Sequence, residues 1–206
     1  MEPNVVVFDA SRIVAVNFKT ADGIKTVRVR FPSDEELTAR QKRCKVIVKQ
    51  LGRQTSTTTV TPMEDLDYDL AMTLRPGDKD AVQIDKFEAA KIVETLSLAK
   101  VTDVREEPGG YAVDIRVPGG KVTHHLKMPM EADKAEFRRA FANVVDLPYG
   151  QQSITINLAV ADPIYQRLMA SVDGYANAIP IIHKSAALKA VIDASDSIAA
   201  EESEDF

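Results

Sequence analysis

The chain contains itself twice. Sliding the 206-residue sequence by 97 positions brings its halves into register. Ala15 and Val16 meet Ala112 and Val113, Gly23 meets Gly120, Thr26 meets Thr123, and Pro32 meets Pro129. Asp65, Tyr68 and Met72 meet Asp162, Tyr165 and Met169; Gly77, Ala81 and Ile84 meet Gly174, Ala178 and Ile181. Between these stretches the offset grows by one, so that Gly52, Gln54 and Thr57 meet Gly150, Gln152 and Thr155. A unit of this size can bury its own core and is far longer than the roughly 20–50 residues of most solenoid repeats. The expectation is two tandem modules, residues 1–99 and 100–196, packed as a pseudo-dimer.

Duplication constrains architecture and is silent on chemistry. Composition narrows the class a little. With 45% hydrophobic and 28% charged residues the chain reads as ordinary globular protein. A single cysteine, Cys44, cannot form an internal disulfide. No apolar run reaches membrane-span length, and Met1-Glu2-Pro3-Asn4 lacks the features of a signal peptide. The expected compartment is a reducing cytoplasm, or a particle assembled there. Residues 1–99 carry equal numbers of basic and acidic side chains, so the net charge of −5 belongs to the remainder. Much of it lies in Glu201, Glu202, Glu204 and Asp205, and residues 197–206 read as a disordered acidic tail. Overall acidity argues against non-specific nucleic-acid binding.

Hydrophobic patterning predicts the elements. Ile13, Val14, Val16 and Phe18 precede Asp22-Gly23, and Val27, Val29 and Phe31 follow, which is a hairpin signal. Tyr111, Val113, Ile115 and Val117, then Pro118-Gly119-Gly120, then Val122 to Met128 repeat it. Each hairpin runs into a proline, Pro32 or Pro129, at the entry to a helix. Ser33 and Glu36 have the spacing of a capping box. Leu37, Cys44, Ile47, Val48 and Leu51 extend that helix to Leu51, before Gly52; its counterpart is expected to stop at Pro148. A third strand near residues 55–61, or 153–158, and two further helices complete the expected unit. The fold class is α+β, with β-β-α-β-α-α order in each module.

On a helix reaching Leu51, Lys42, Lys45, Lys49 and Arg53 would line one face. Such a ridge suits phosphates or an acidic protein surface. The plain alternative is a solvated face with cations near a helix C-terminus. Only the first half carries the stripe: the second has Arg138 and Arg139, then Asn143 and Asp146. No aromatic residues interleave, which speaks against stacking on single strands. His124 and His125, adjacent on a strand, point to opposite faces and cannot chelate one metal. No further ligand spacing of a zinc site accompanies them. Cys44 fits the apolar stripe as a buried thiol. No phosphate loop or nucleophile elbow is present, and no metal, cofactor or catalytic residue is expected.

Two stretches carry a family likeness. Phe31-Pro-Ser-Asp-Glu-Glu-Leu-Thr-Ala-Arg-Gln-Lys-Arg43 and Ile179-Pro-Ile-Ile-His-Lys-Ser-Ala-Ala-Leu-Lys-Ala-Val-Ile192 resemble segments of poorly characterised proteins from the morphogenesis region of tailed-phage genomes. The resemblance implies a virion or assembly role and supplies no catalytic residue. The expectation is a non-enzymatic structural or assembly protein, acting through a protein partner or through copies of itself, in the host cytoplasm or the virion. The alternative is a binding protein whose basic helix meets nucleic acid or an acidic protein.

Overall fold

The computed structural model describes residues 8–204, except 22, 52–53, 60–61, 78–81 and 98. The protein is α+β, as the patterning predicts. Its elements run β1 (Ile13–Thr20), β2 (Gly23–Arg30), α1 (Asp34–Arg43), β3 (Val46–Leu51), β4 (Gln54–Thr59), α2 (Met63–Leu74) and α3 (Lys86–Leu96). They continue with β5 (Lys100–Glu107), β6 (Gly110–Val117), β7 (Gly120–Lys127), α4 (Glu131–Phe141), β8 (Ala142–Leu147), β9 (Gln151–Ile156), α5 (Ala161–Leu168), β10 (Met169–Asp173) and α6 (Ile181–Glu204). No helix among the described residues is long and apolar enough to cross a membrane.

Both predicted hairpins form. β1 and β2 pair antiparallel from Ile13↔Arg30 to Thr20↔Gly23. β6 and β7 pair from Gly110↔Lys127 to Val117↔Gly120, turning through Pro118 and Gly119. Gly119 takes a φ of +91°, where a side chain would be strained. Pro32 and Pro129 fall in the gaps between β2 and α1 and between β7 and α4. The Ser33 hydroxyl accepts from the Glu36 amide at 3.2 Å, and the Glu36 carboxylate accepts from the Ser33 amide at 2.8 Å, so the capping box is made.

The first long helix does not form as expected. It stops at Arg43, and residues 46–51 leave as a strand. The counterpart does the same, α4 ending at Phe141 and β8 beginning at Ala142. Each half therefore holds a second hairpin, β3–β4 or β8–β9, where half a helix and one strand were expected. The β-branched run Val46-Ile47-Val48 is the local reason, because such side chains lose χ1 freedom in a helix and suit a strand.

The chain divides into two compact units, and the division is not sequential. The first holds Ala10–Ser97 together with Ala142–Asn157; the second holds the described residues of Met1–Asp9, Leu98–Phe141 and Leu158–Phe206. Where modules 1–99 and 100–196 are expected, the division falls between Ser97 and Leu98, and β8 and β9 group with the first unit. There β3 pairs with β9, from Val46↔Ile154 to Lys49↔Gln151, in a four-stranded sheet ordered β4-β3-β9-β8. The core of this unit lies elsewhere. It includes Val27 and Val29 from β2, Phe31 just after it, and Leu37, Leu66, Leu70, Leu74, Ile92, Val93 and Leu96 from α1, α2 and α3. Arg40 on α1 and Asp67 on α2, both largely buried, form an ion pair across this core. Cys44 is buried, its Sγ 3.1 Å from Met63 Sδ.

The second unit builds a sheet ordered β10-β7-β6-β5, against which α6 packs. β6 is buried along nearly its whole length, as suits a central strand. Phe137, Ile164, Leu168, Leu188 and Ile192 form a core among α4, α5 and α6. The expected disordered tail is helical as far as Glu204, since α6 continues past residue 197. Residues 205–206 lie outside the described residues. The expected equivalence of Tyr68 with Tyr165, and of Met72 with Met169, also fails. Tyr165 is fully buried on α5 while Tyr68 is half-buried, and Met72 is exposed while Met169 opens β10.

Candidate functional site

The early end of α1 dissolves the expected ridge. Lys42 is exposed on the last turn of α1, Lys45 is exposed in the junction, and Lys49 lies on β3, paired with Ser56 and Gln151. Arg53 lies outside the described residues. Helical spacing therefore does not align Lys42, Lys45 and Lys49; they are spread over a helix, a junction and a strand. Arg43, next to Lys42, pairs with Asp69 at 3.2 Å. A groove of about 340 Å³ runs along α1 between Asp34, Glu35, Thr38, Ala39 and Lys42 and mixes both signs of charge.

The more distinctive surface is the sheet β4-β3-β9-β8. A sheet in a globular unit ordinarily buries at least one face. Here none of the described side chains, Val46–Val48 on β3, Thr55 on β4 and those of β8 and β9, is fully buried. Val46, Ile47, Val48, Ile154 and Ile156 are only half-buried. Val144 and Val145 are neighbours on β8, hence on opposite faces, and stand 47% and 49% exposed. At the β8–β9 turn Tyr149 is 90% exposed and holds a left-handed backbone, φ +64°. That conformation is strained for an aromatic residue. The sheet is thus a branched-aliphatic ladder with a projecting aromatic at one end. Sequence reading missed it because Val144, Val145, Ile47 and Val48 were assigned to helices.

The polar clusters of the second unit are self-contained. His124 stands between two phenols, with Nδ1 2.6 Å from Tyr165 Oη and Nε2 2.7 Å from Tyr175 Oη. A neutral imidazole donates to one and accepts from the other. His183 Nδ1 lies 3.0 Å from Tyr175 Oη. Burial, helped by the nearby His183 and His125, holds His124 down to about 3. Burial also pushes both phenols up. On the opposite face of β7, His125 meets Glu107 at 2.9 Å and Asp173 at 3.2 Å, and Glu107 chiefly raises its pKa. The histidines diverge as strand geometry requires, and no group of described residues could hold a metal ion. Asp114, buried on β6, accepts from Arg105, Lys121 and Thr123, and Arg105 chiefly holds its carboxyl far below the usual range. Each of these groups is satisfied by its neighbours, as buried polar groups in a stable core are.

Comparison with known protein families, curated proteins and solved structures finds no match.

Proposed function

We propose that this chain is a structural or assembly protein, of a tailed-phage particle or its construction, that acts through protein–protein contacts and not through catalysis. One observation carries this reading: the sheet β4-β3-β9-β8 has branched aliphatic side chains on it and no fully buried described residue. Apolar surface left in water marks an interaction site. The phage setting is supported by the resemblance of residues 31–43 and 179–192. We also read the two halves as products of a duplication. β1 and β6 begin at Ile13 and Gly110, β2 and β7 at Gly23 and Gly120, and α1 and α4 at Asp34 and Glu131, at one interval, while β3 and β8 begin at Val46 and Ala142, one residue short of it.

Particles purified from the source lysate should contain the chain as a stoichiometric component, read by quantitative mass spectrometry. Absence from every particle and precursor, together with monomeric sedimentation at all concentrations, would overturn the reading.

A second reading rests on the exposed Lys42 and Lys45. If they meet a polyanion, retention on heparin should be strong and salt-sensitive and should fall in the Lys42→Gln/Lys45→Gln variant. The assembly reading expects weak retention and no difference between variant and parent.

A further inference from the structure

The order of strands in the exposed sheet says what completes it. β3 and β4 form a hairpin of six paired rungs, Val46↔Thr59 to Leu51↔Gln54. β8 and β9 form another six, Ala142↔Ile156 to Leu147↔Gln151. Two hairpins can join in a two-fold manner, through equivalent strands, or head to tail, through the first strand of one and the second strand of the other. The order β4-β3-β9-β8 is head to tail, because β3 is a first strand and β9 a second. A two-fold junction closes on itself. Among the described residues, a head-to-tail junction leaves one second strand, β4, at one edge and one first strand, β8, at the other. Those are the two strand types that β3 and β9 already join.

The free edges are also bare. Natural sheets blunt their edges with charges, prolines or bulges to prevent pairing with other chains. The sheet of the second unit obeys this. Its edge strand β5 carries Lys100, Asp103, Arg105, Glu106 and Glu107 and a register shift, and its other edge, β10, carries a register shift as well. β4 has the sequence Gln-Thr-Ser-Thr-Thr-Thr, with no charge and no proline, and pairs with β3 without a shift. β8 has one charge, Asp146, no proline and no shift. The two strands match in length, six residues each.

We propose that a second copy of this chain docks on this sheet, its β4 pairing antiparallel with β8 of the first. Repetition of the junction then gives a ring or an open filament. The inference rests on the reading of the chain as an assembly protein and adds the partner and the register. Superposing the hairpins rung for rung places Val46 on Ala142 and Thr59 on Ile156. The internal rungs Val46↔Ile154 and Lys49↔Gln151 then become Ala142 against Thr57, and Val145 against Gln54, of the next copy. Between them, Asn143 faces Ser56 and Val144 faces Thr55. One of these two middle rungs is the non-hydrogen-bonded kind, whose close Cα atoms suit a disulfide.

The test is disulfide trapping in the full chain. Val144→Cys/Thr55→Cys and Asn143→Cys/Ser56→Cys are oxidised, and products are sized under denaturing, non-reducing conditions. At least one pair should give a ladder beyond the dimer. Each single variant, which has no facing thiol, should give no ladder, and so should the off-register pair Val144→Cys/Thr58→Cys. Sedimentation of the unmodified chain separates two failures. If the parent associates but neither pair cross-links beyond its single variants, the edge pairing is wrong and the assembly reading stands. A parent that remains monomeric at every concentration, with no ladder from either pair, overturns both. A ladder trapped equally from the off-register pair would also overturn the pairing, since it would report collision.

Discussion

His124 and His125 are adjacent, yet strand alternation gives them opposite titration behaviour. Buried His124 titrates near 3 in the folded chain, against an ordinary value near 6.5. Between those values the unfolded chain binds the extra proton, so stability falls as pH drops through that window. His125 is raised by Glu107 and Asp173, so its contribution is present below the ordinary value and is lost as pH rises through the raised one. Urea unfolding at several pH values checks both. His124→Phe should be less stable at pH 7 by about 1–3 kcal/mol, because it strands the buried Tyr165 hydroxyl while Tyr175 keeps His183, yet lose less between pH 7 and pH 5 than the parent. His125→Gln should be destabilised more at pH 5 than at pH 8. Tyr111 offers a contrast. Its hydroxyl is buried with no hydrogen-bond partner among the described residues, so Tyr111→Phe should be neutral or stabilising by up to about 1 kcal/mol. A loss above about 1 kcal/mol would reveal a partner for that oxygen.

At the scale of the element, the sequence announces what is locally encoded. The β1–β2 and β6–β7 hairpins, the prolines before α1 and α4, and the Ser33 cap were all legible. The strands β3 and β8 were not, because periodicity carries apolar residues from Leu37 to Leu51 as plausibly along a helix as into a strand. The β-branched run Val46-Ile47-Val48 leans toward a strand, and the pairing that fixes β3 there is with β9, about 100 residues away in the chain. Such a pairing leaves no mark in a short window. That error carried the candidate site with it: the basic stripe existed only on a helix that ends at Arg43. Burial likewise separates Tyr165 from Tyr68. Tyr165→Ala should cost about 3–5 kcal/mol, as for a buried large aromatic, and Tyr68→Ala clearly less, both read by denaturant titration. Equal losses would mean that Tyr68 is as enclosed as its counterpart.

For the whole molecule, the two four-stranded sheets embody two solutions to one problem. One covers a face with α6 and guards its edges with charge and bulges; the other leaves its described apolar side chains half-buried or exposed and its edge strands nearly free of charge. On the proposed reading, the guarded core supplies the stability and the exposed ladder the contact. Amide hydrogen exchange tests this most directly. It should be followed on the full chain at a dilution where sedimentation shows the monomer and at a concentration where it shows association. The predicted result is that protection gained on association is concentrated in residues 54–59 and 142–147, the outer strands, while β5 to β7 exchange alike in both states. Unchanged exchange in those two strands across a demonstrated association, with protection appearing elsewhere, would contradict it.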